Sequence, residues 1–165
     1  MVDLKSEAVL TNLQSATVLE DRYSVQDYPM VHMAAIQKSY NANLAHEFRA
    51  LEITPQIWRV LATLQENEGH TLGLLSEITL IEQSHLSRMI DSMGREKLVT
   101  RKSQSRDKRF KLVHLTSRGR QLFEELLPTA LAQYDMAFRD FSEQEKSQFM
   151  DFLKRARTNL SSNIR

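Results

Sequence analysis

The sequence predicts a mainly α-helical chain with one small β-hairpin, and three observations lead to this fold class. The 165 residues include only four Gly and three Pro, too few for the many tight turns of a β-sandwich or β-barrel. Apolar residues recur at steps of three and four over most of the chain, which is the spacing of one helix face. A polar segment interrupts the only alternating, β-branched stretch, 98–115, as in a hairpin with a long tip.

The first half of the chain reads as four helices. Helical spacing of apolar residues predicts a first helix over about 28–50. A second helix is expected to begin at Pro55, with Thr54 as its N-cap, because Thr suits the cap and Pro suits the first helical position. Two shorter helices are expected over 72–80 and 84–96, close together in the chain.

The second half begins with the hairpin and ends with two longer helices. The predicted strands are 98–101 and 110–115. Thr116 is expected to cap the next helix, in which Pro128 predicts a kink and which should continue beyond it. Ser-Glu-Gln-Glu at 142–145 has the pattern of a capping box and predicts the start of the last helix.

Composition excludes several classes of protein. There is no Cys, which rules out disulfides, thiolate metal sites and a cysteine nucleophile. The five His residues are scattered without metal-ligand spacing, and no Gly-rich phosphate loop is present, so we expect no metal, no cofactor and no enzyme activity. Neither a signal peptide pattern nor an apolar run of about 18 residues occurs, so the expected location is the cytoplasm, without membrane contact.

Charge is distributed unevenly along the chain. The formal net charge is only +1, yet 11 of the 22 Lys and Arg residues lie between Ser84 and Arg120, with three of the 21 Asp and Glu residues. One region is therefore strongly cationic, while the remainder is acidic. Such a patch is typical of a surface that meets phosphates, although a solvated basic loop would have the same composition.

The order helix, short turn, helix and basic hairpin is that of a winged helix-turn-helix, which docks on double-stranded DNA. The second helix of the pair fits the major groove, and the hairpin reaches the backbone or the minor groove. On the predicted helix 84–96, small polar and basic residues occupy the side opposite the apolar residues. The candidates for DNA contact on this helix are Ser84, His85, Ser87, Arg88 and Arg95.

The hairpin supplies the second set of candidates for DNA contact. Arg101 and Lys102 leave its base and are expected to contact phosphates. The candidates at its tip are Arg106, Asp107, Lys108 and Arg109, among which Asp107 would organise the tip. Two structural alternatives stay open for the helix: Ser84 as an N-cap, and Arg95 as a solvated cation balanced by Asp91.

Residues 54–119 resemble the MarR family of bacterial winged-helix regulators. Four strings carry the resemblance, in order and at the family's spacing: TPQIWRVL at 54–61, SHLSRMID at 84–91, DKR at 107–109 and HLTSRG at 114–119. The family usually has Gly between the recognition helix and the hairpin, where this chain has Lys97. We therefore expect the helix end and the hairpin start to be displaced.

The resemblance implies a homodimer that binds a pseudo-palindromic operator, with one recognition helix in each half-site. Residues 1–27 lie outside the resemblance and are expected to form an N-terminal arm, because their periodicity is weak and their net charge is acidic. The resemblance implies that 54–115 is the DNA-binding domain. Residues 28–53 and 116–165 form a helical dimerisation region of the same compact chain. Four aromatic residues would supply apolar surface for that interface: Tyr134, Phe138, Phe149 and Phe152.

The resemblance also implies a small aromatic acid or phenolic effector that weakens DNA binding. His32, Ser39 and Asn43 form a polar row beside the apolar stripe of the first helix. The candidate lining residues are Ile36, Ser39, Asn43 and Trp58, with His32 or Lys38 as carboxylate partners. In the alternative structural interpretation, Trp58 belongs to the core and the boundary residues bind nothing.

Taken together, the sequence predicts a DNA-binding transcriptional regulator, a repressor that a small effector releases. The alternative from another class is a helical interaction module whose basic patch binds an acidic partner protein. The two hypotheses differ in one observable property. The regulator discriminates between DNA sequences, whereas the interaction module would be indifferent to them.

Overall fold

The computed structural model describes residues 24–67, 69–103 and 111–161 and confirms the predicted fold class. Helices account for most of these residues, and the only sheet among them has two antiparallel strands. The elements are α1 (Pro29–Glu47), a 3₁₀ turn (Phe48–Leu51), α2 (Pro55–Glu66), α3 (Leu72–Thr79), α4 (Gln83–Arg95), β1 (Val99–Ser103), β2 (Lys111–Leu115), α5 (Ser117–Ala137) and α6 (Glu143–Ser161).

The chain forms two compact units that divide within α1. One unit ends at Ala42, and the other extends from Asn43 to the C-terminus. The second unit contains α2 to α6 and the sheet. No helix in the described part of the chain has both the length and the apolar character that a membrane span requires.

Side-chain caps start α2, α5 and α6 where the sequence predicts them. Thr54 Oγ1 accepts a hydrogen bond from the Ile57 amide at 3.2 Å, with Pro55 next to the cap. Thr116 caps α5 in the same way. The predicted capping box is confirmed, since Glu145 Oε2 accepts from the Ser142 amide at 2.8 Å.

The ends of two helices, α1 and α3, differ from the prediction. The α-helical part of α1 ends at Glu47 instead of about Ala50, because the backbone tightens into the 3₁₀ turn. Glu52 then adopts φ 57° and its amide donates to the Arg49 carbonyl, which ends the turn. Helix α3 ends at Thr79, since Leu80 takes the left-handed conformation.

The strands also shift by up to two residues, to 99–103 and 111–115, and pair with Val99 opposite Leu115. His70 forms an isolated bridge with Val113, so that its N–H and C=O both bond to β2. Backbone pairing thus ties the segment before α3 to the hairpin.

Helix α2 is the centre of the second unit and packs against α3, α5 and β2. Helix α4 packs against α3 and β1, and α5 contacts β2. Pro128 lies inside α5, which continues as one helix as far as Ala137. Burial of apolar side chains along these contacts stabilises the arrangement that presents α4 and the hairpin together. The fully buried large side chains are Leu44, Phe48, Val60, Leu61, Leu64, Leu75, Leu86, Ile90, Met93, Val113 and Leu126.

Candidate nucleic-acid interface

Helix α4 has one buried face and one exposed polar face. Leu86, Ile90 and Met93 are at most 1% exposed and anchor the helix to the core. The opposite row is exposed and includes Arg88 and Arg95, two cations about two turns apart. Of the predicted contacts on α4, only Ser87 is half-buried, whereas Ser84, His85, Arg88 and Arg95 are exposed. The exposed row begins with the short side chain of Ser84 and carries the cations Arg88 and Arg95 further along the helix.

The start of α4 is capped by Glu82, which the sequence did not reveal. Its carboxylate accepts from the Ser84 amide at 2.9 Å, from the His85 amide at 3.0 Å and from the Ser84 hydroxyl. These hydrogen bonds, first of all the one from the Ser84 hydroxyl, lower the pKa of Glu82 from 4.5 to about 2. The interpretation of Ser84 as the N-cap is therefore wrong, because the helix begins at Gln83 and the longer Glu82 side chain reaches its first amides.

The turn between α3 and α4 is fixed by hydrogen bonds from side chains. Arg59 on α2 donates to the Thr79 carbonyl at 2.7 Å, which satisfies a carbonyl at the end of α3. Ser76 donates to the Ile81 carbonyl at 2.7 Å. Leu80 adopts φ 54°, although it carries a side chain. These contacts set the orientation of α4 relative to α3 and account for the tolerance of a left-handed leucine.

The end of α4 is a Schellman motif with Lys97 in the left-handed position. The Leu98 amide donates to the Met93 carbonyl at 2.8 Å, and the Lys97 amide donates to the Gly94 carbonyl at 3.1 Å. Lys97 has φ 59°, a conformation that Gly adopts at lower cost. The helix end and the hairpin start therefore need no displacement. Lys97 itself takes the left-handed conformation that Gly usually takes at this position in the family, and β1 begins at Val99.

An ion pair joins the exposed face of α4 to the hairpin. Asp91 Oδ1 lies 2.7 Å from a guanidinium nitrogen of Arg101 on β1. The idea that Asp91 balances Arg95 is therefore wrong, because the neighbouring strand brings Arg101 within contact distance. Arg101 was predicted to contact a phosphate and keeps 37% of its side-chain surface exposed. The pair fixes the base of the hairpin against the helix.

The described part of the hairpin includes Lys102 but not the predicted tip. Lys102 is exposed and pairs with Leu112 across the sheet. Four predicted contacts lie outside the described residues: Arg106, Asp107, Lys108 and Arg109. The structure therefore places seven of the eleven predicted DNA contacts, on α4 and at the base of the hairpin.

The predicted effector residues fall in both compact units. His32, Ile36, Lys38 and Ser39 are exposed and belong to the unit that ends at Ala42. The His32 ring N–H donates to the Gln26 carbonyl at 2.5 Å. All four lie on α1, as predicted, and their role in effector binding stays a prediction.

The other two predicted effector residues belong to the second unit. Asn43 is exposed, whereas Trp58 is half-buried in an aromatic group. The Trp58 ring stacks on Phe123 with centroids 5.2 Å apart and contacts Phe48 at 6.0 Å. Trp58 thus has a packing role, as in the structural interpretation of this residue.

A shallow cavity of about 500 Å³ lies elsewhere, near the end of α5 and the start of α6. Its lining combines apolar and charged side chains: Ala132, Asp135, Met136, Phe138, Arg139 and Lys146. None of the predicted effector residues lines it. No group of three or more His, Asp or Glu with a geometry for metal binding occurs within 24–67, 69–103 and 111–161.

Sequence comparison places the chain in a family. Residues 53–111 match the profile of the MarR family. The transcriptional activatory protein BadR of Rhodopseudomonas palustris is 30% identical over 128 residues, which cover 72% of this chain and 73% of BadR. This chain belongs to the MarR family. The transcriptional repressor YetL of Bacillus subtilis is 23% identical, over 72% of each chain.

Solved structures of MarR-family regulators have the same fold. A MarR-family regulator from Silicibacter pomeroyi superposes with a TM-score of 0.75 at 33% identity, over 86% of this chain and 93% of that one. A putative MarR-family regulator from Listeria monocytogenes, crystallised with a 26mer DNA, gives a TM-score of 0.74 at 23% identity, over 81% and 89%. The DNA binding of BpsR from Bordetella bronchiseptica is regulated by 6-hydroxynicotinic acid. Its structure gives a TM-score of 0.72 at 22% identity, over 81% of this chain and 96% of BpsR.

This MarR-family chain is accordingly a DNA-binding transcriptional regulator, and its relatives are transcriptional regulators. Three features of its interface were not found from the sequence. Glu82 was missed because Glu is not among the favoured N-cap residues, and Arg59 because its partner Thr79 lies 20 residues away. The partner of Asp91 was misassigned because sequence spacing favours contacts within one helix.

Proposed function

We propose that this MarR-family regulator is a homodimeric repressor that binds a pseudo-palindromic operator and is released by a small aromatic acid or phenolic effector. In this proposal, 54–115 is the DNA-binding domain, and 28–53 with 116–165 forms the dimerisation region. The observation that carries the DNA-binding part is the exposed face of α4, opposite Leu86, Ile90 and Met93 and joined to β1 by the Asp91–Arg101 pair. Such a helix can lie in the major groove while the hairpin contacts the backbone.

Arg88 is the candidate base-reading residue, and its substitution tests the DNA-binding mode. Arg88→Ala should weaken binding to a selected operator by about 1–3 kcal/mol and relax preference at one position in each half-site, because an Arg can donate to both acceptors of guanine. Fluorescence anisotropy on selected and random duplexes measures both effects. Equal losses on the two duplexes would contradict base reading by Arg88.

Arg109→Ala is the contrasting variant for the same assay. Arg109 belongs to the predicted hairpin tip, and a phosphate contact there should contribute about equally to every duplex. We expect the same loss of affinity on every duplex. The slope of the logarithm of the binding constant against the logarithm of the salt concentration should fall in magnitude by about 0.9. If the unmodified protein binds all duplexes with equal affinity, the result would instead support an interaction module that binds an acidic partner protein.

Exposed apolar side chains on α5 and α6 support the dimeric part of the proposal. None of the residues Glu143–Ser161 is buried in the single chain. The exposed apolar residues of the two helices are Leu131, Tyr134, Met136, Met150, Phe152 and Leu160. A second copy would remove this surface from water, and a two-fold dimer would match a pseudo-palindromic operator.

The effector part rests on the residues of α1 and on the relative BpsR, whose DNA binding 6-hydroxynicotinic acid regulates. A gel-shift titration with a panel of aromatic acids and phenols tests it. At least one compound should release the operator and raise the thermal stability of the protein, because a ligand that binds the folded state stabilises it. Lys38→Ala should weaken this response if Lys38 binds a carboxylate. A panel without release and without a thermal shift contradicts the proposed effector class.

The sign of regulation requires a separate measurement, since YetL is called a repressor and BadR an activatory protein. A promoter containing the selected operator, fused to a reporter, should be less active when the protein is present. Increased activity would contradict repression while leaving DNA binding intact.

A further inference from the structure

The hydrogen-bond polarity at the start of α4 restricts what Ser84 can recognise. A serine hydroxyl has one hydrogen to donate and two lone pairs that accept. The Ser84 hydroxyl lies against Glu82 Oε2, and an ionised carboxylate only accepts. The hydrogen therefore points to Glu82, and the Ser84 oxygen presents only lone pairs to its surroundings.

The Glu82 carboxylate is held in place independently of Ser84's hydroxyl. It accepts from the backbone amides of Ser84 and His85 at 2.9 and 3.0 Å, so that both side chains of the pair sit at the first turn of α4. The hydrogen bond from the Ser84 hydroxyl, followed by those from the two amides, lowers the pKa of Glu82, so the carboxylate is ionised at neutral pH. Arg88, on the same exposed face, adds a favourable charge interaction with this carboxylate.

An acceptor-only, negatively charged pair is a poor neighbour for a phosphate. A phosphate oxygen would face the lone pairs of Ser84 and the charge of Glu82, which repel it. In the major groove, only two bases offer a hydrogen-bond donor, namely cytosine through N4 and adenine through N6. Guanine and thymine offer acceptors at the corresponding position, so the pair would disfavour them.

We propose that Glu82 is a specificity-determining residue that orients the Ser84 hydroxyl so that Ser84 accepts from the exocyclic amino group of adenine or cytosine. This inference rests on the proposed docking of α4 in the major groove and adds the class of base that the first turn reads. Glu82 acts through Ser84 and also repels bases that present an acceptor.

The test compares base preferences of four variants on an operator selected by the unmodified protein from random duplexes. At one position on one strand of each half-site, the unmodified protein should prefer adenine or cytosine over guanine or thymine by about fivefold or more, the effect of one hydrogen bond to a polarised group. Ser84→Ala removes the accepting oxygen but keeps the Glu82 cap and its charge, so it should reduce the preference, at that position only. Ser84→Thr retains the hydroxyl and should retain the preference.

Glu82→Gln is the decisive variant because it reverses the polarity. Its amide oxygen, in the place of Oε1, can still accept from the Ser84 amide, whereas its NH₂ group, in the place of Oε2, can donate to Ser84 and free the serine hydrogen. The hydrogen bond from the His85 amide is lost in this arrangement. The preference should then move towards guanine or thymine. Glu96→Gln is the matched control, since Glu96 also accepts from a serine of α4, Ser92, at 3.4 Å, but at the far end of the helix. It removes the same charge and should leave the base profile unchanged.

Two outcomes overturn the inference, and they differ from failure of the proposed function. Ser84→Ala and Glu82→Gln profiles that coincide with the unmodified profile would exclude base reading by this pair. If Glu96→Gln changes the base preference in the same way as Glu82→Gln, the change would be due to the lost negative charge and not to the Glu82–Ser84 pair. If the unmodified protein selects no sequence at all, the proposed function fails. Circular dichroism and thermal unfolding verify that each variant is folded.

Discussion

Gly119, at the start of α5, approaches the backbone of Leu98 so closely that no side chain fits between them. A Cβ atom at position 119 would lie 2.1 Å from the Leu98 carbonyl oxygen. The same region is held together by Thr116, whose amide donates to the Leu98 carbonyl at 3.0 Å. This close approach joins α5 to the segment between α4 and β1.

Gly119→Ala should therefore lower the free energy of unfolding by about 2 kcal/mol or more, because the obstructing atom belongs to the backbone and cannot move aside cheaply. Gly94→Ala is the matched control, since a Cβ there meets nothing within 4 Å. In a helix, that change should stabilise the protein by about 0.5–1 kcal/mol. Urea unfolding of both variants measures the difference, and equal stabilities would contradict the packing argument.

At the scale of elements, α4 is positioned by contacts at both of its ends and along its exposed side. Glu82 caps its start, the Schellman motif around Lys97 ends it, and the Asp91–Arg101 pair joins it to β1. The ion pair is half-exposed, with side-chain exposures of 37% for Arg101 and 50% for Asp91. Exposed pairs contribute at most about 1 kcal/mol, so its role is to orient the hairpin more than to stabilise the fold.

The cap at Glu82 predicts a specific pH dependence of stability. Its pKa is lowered to about 2 in the folded chain, so the capping contribution is fully present above the ordinary value of 4.5 and is lost as the pH falls towards 2. Glu82→Gln should have a lower free energy of unfolding than the unmodified protein above pH 5. This difference between the two proteins should become smaller as the pH falls from 4.5 to 2. Chemical unfolding at a series of pH values measures this difference. A difference that does not change with pH would contradict the ionised cap.

At the scale of the whole molecule, α6 buries too little apolar surface for contacts within a single chain to hold it in place. Its aromatic contacts include Phe149, which lies 6.0 Å from Phe138, yet no residue of Glu143–Ser161 is buried. Apolar surface of this kind on a described helix is what a second copy would cover in the proposed homodimer.

Phe152→Glu should therefore weaken the dimer, because it would place an unpaired charge in the interface at a cost of about 2 kcal/mol or more, roughly a thirtyfold change in the dissociation constant. Sedimentation equilibrium measures this change, and operator affinity should fall with it. Ile78→Glu is the control, since Ile78 on α3 is 48% exposed and Phe152 is 53% exposed. A monomeric unmodified protein, or equal effects of both variants, would contradict the proposed interface.

Local sequence signals predicted most of the elements correctly. Thr54 and Thr116 mark helix starts, the capping box at Ser142 starts the last helix, and alternating residues predicted the hairpin. These signals work because a cap or a strand pattern depends on neighbours a few residues away. The exposed face of α4 was also predictable, since helical spacing separates Leu86, Ile90 and Met93 from the polar row.

The errors came where contacts join distant parts of the chain. Arg101 reaches Asp91 from the following strand, and Arg59 reaches the turn after α3 from another helix. Lys97 and Leu80 take left-handed conformations that local preference disfavours. Buried residues next to them fix the backbone there: Leu98 beside Lys97, and Thr79 and Ile81 beside Leu80.

The sequence by itself determined the helical fold with its single hairpin, the position of helix α4 with its exposed basic residues, and the resemblance to the MarR family, because each depends on residue type and short-range spacing. Only the tertiary structure decided how α4 is capped, which residue pairs with Asp91 and how closely α5 approaches Leu98. Those features depend on which segments packing brings together, and a linear pattern does not encode distances between segments.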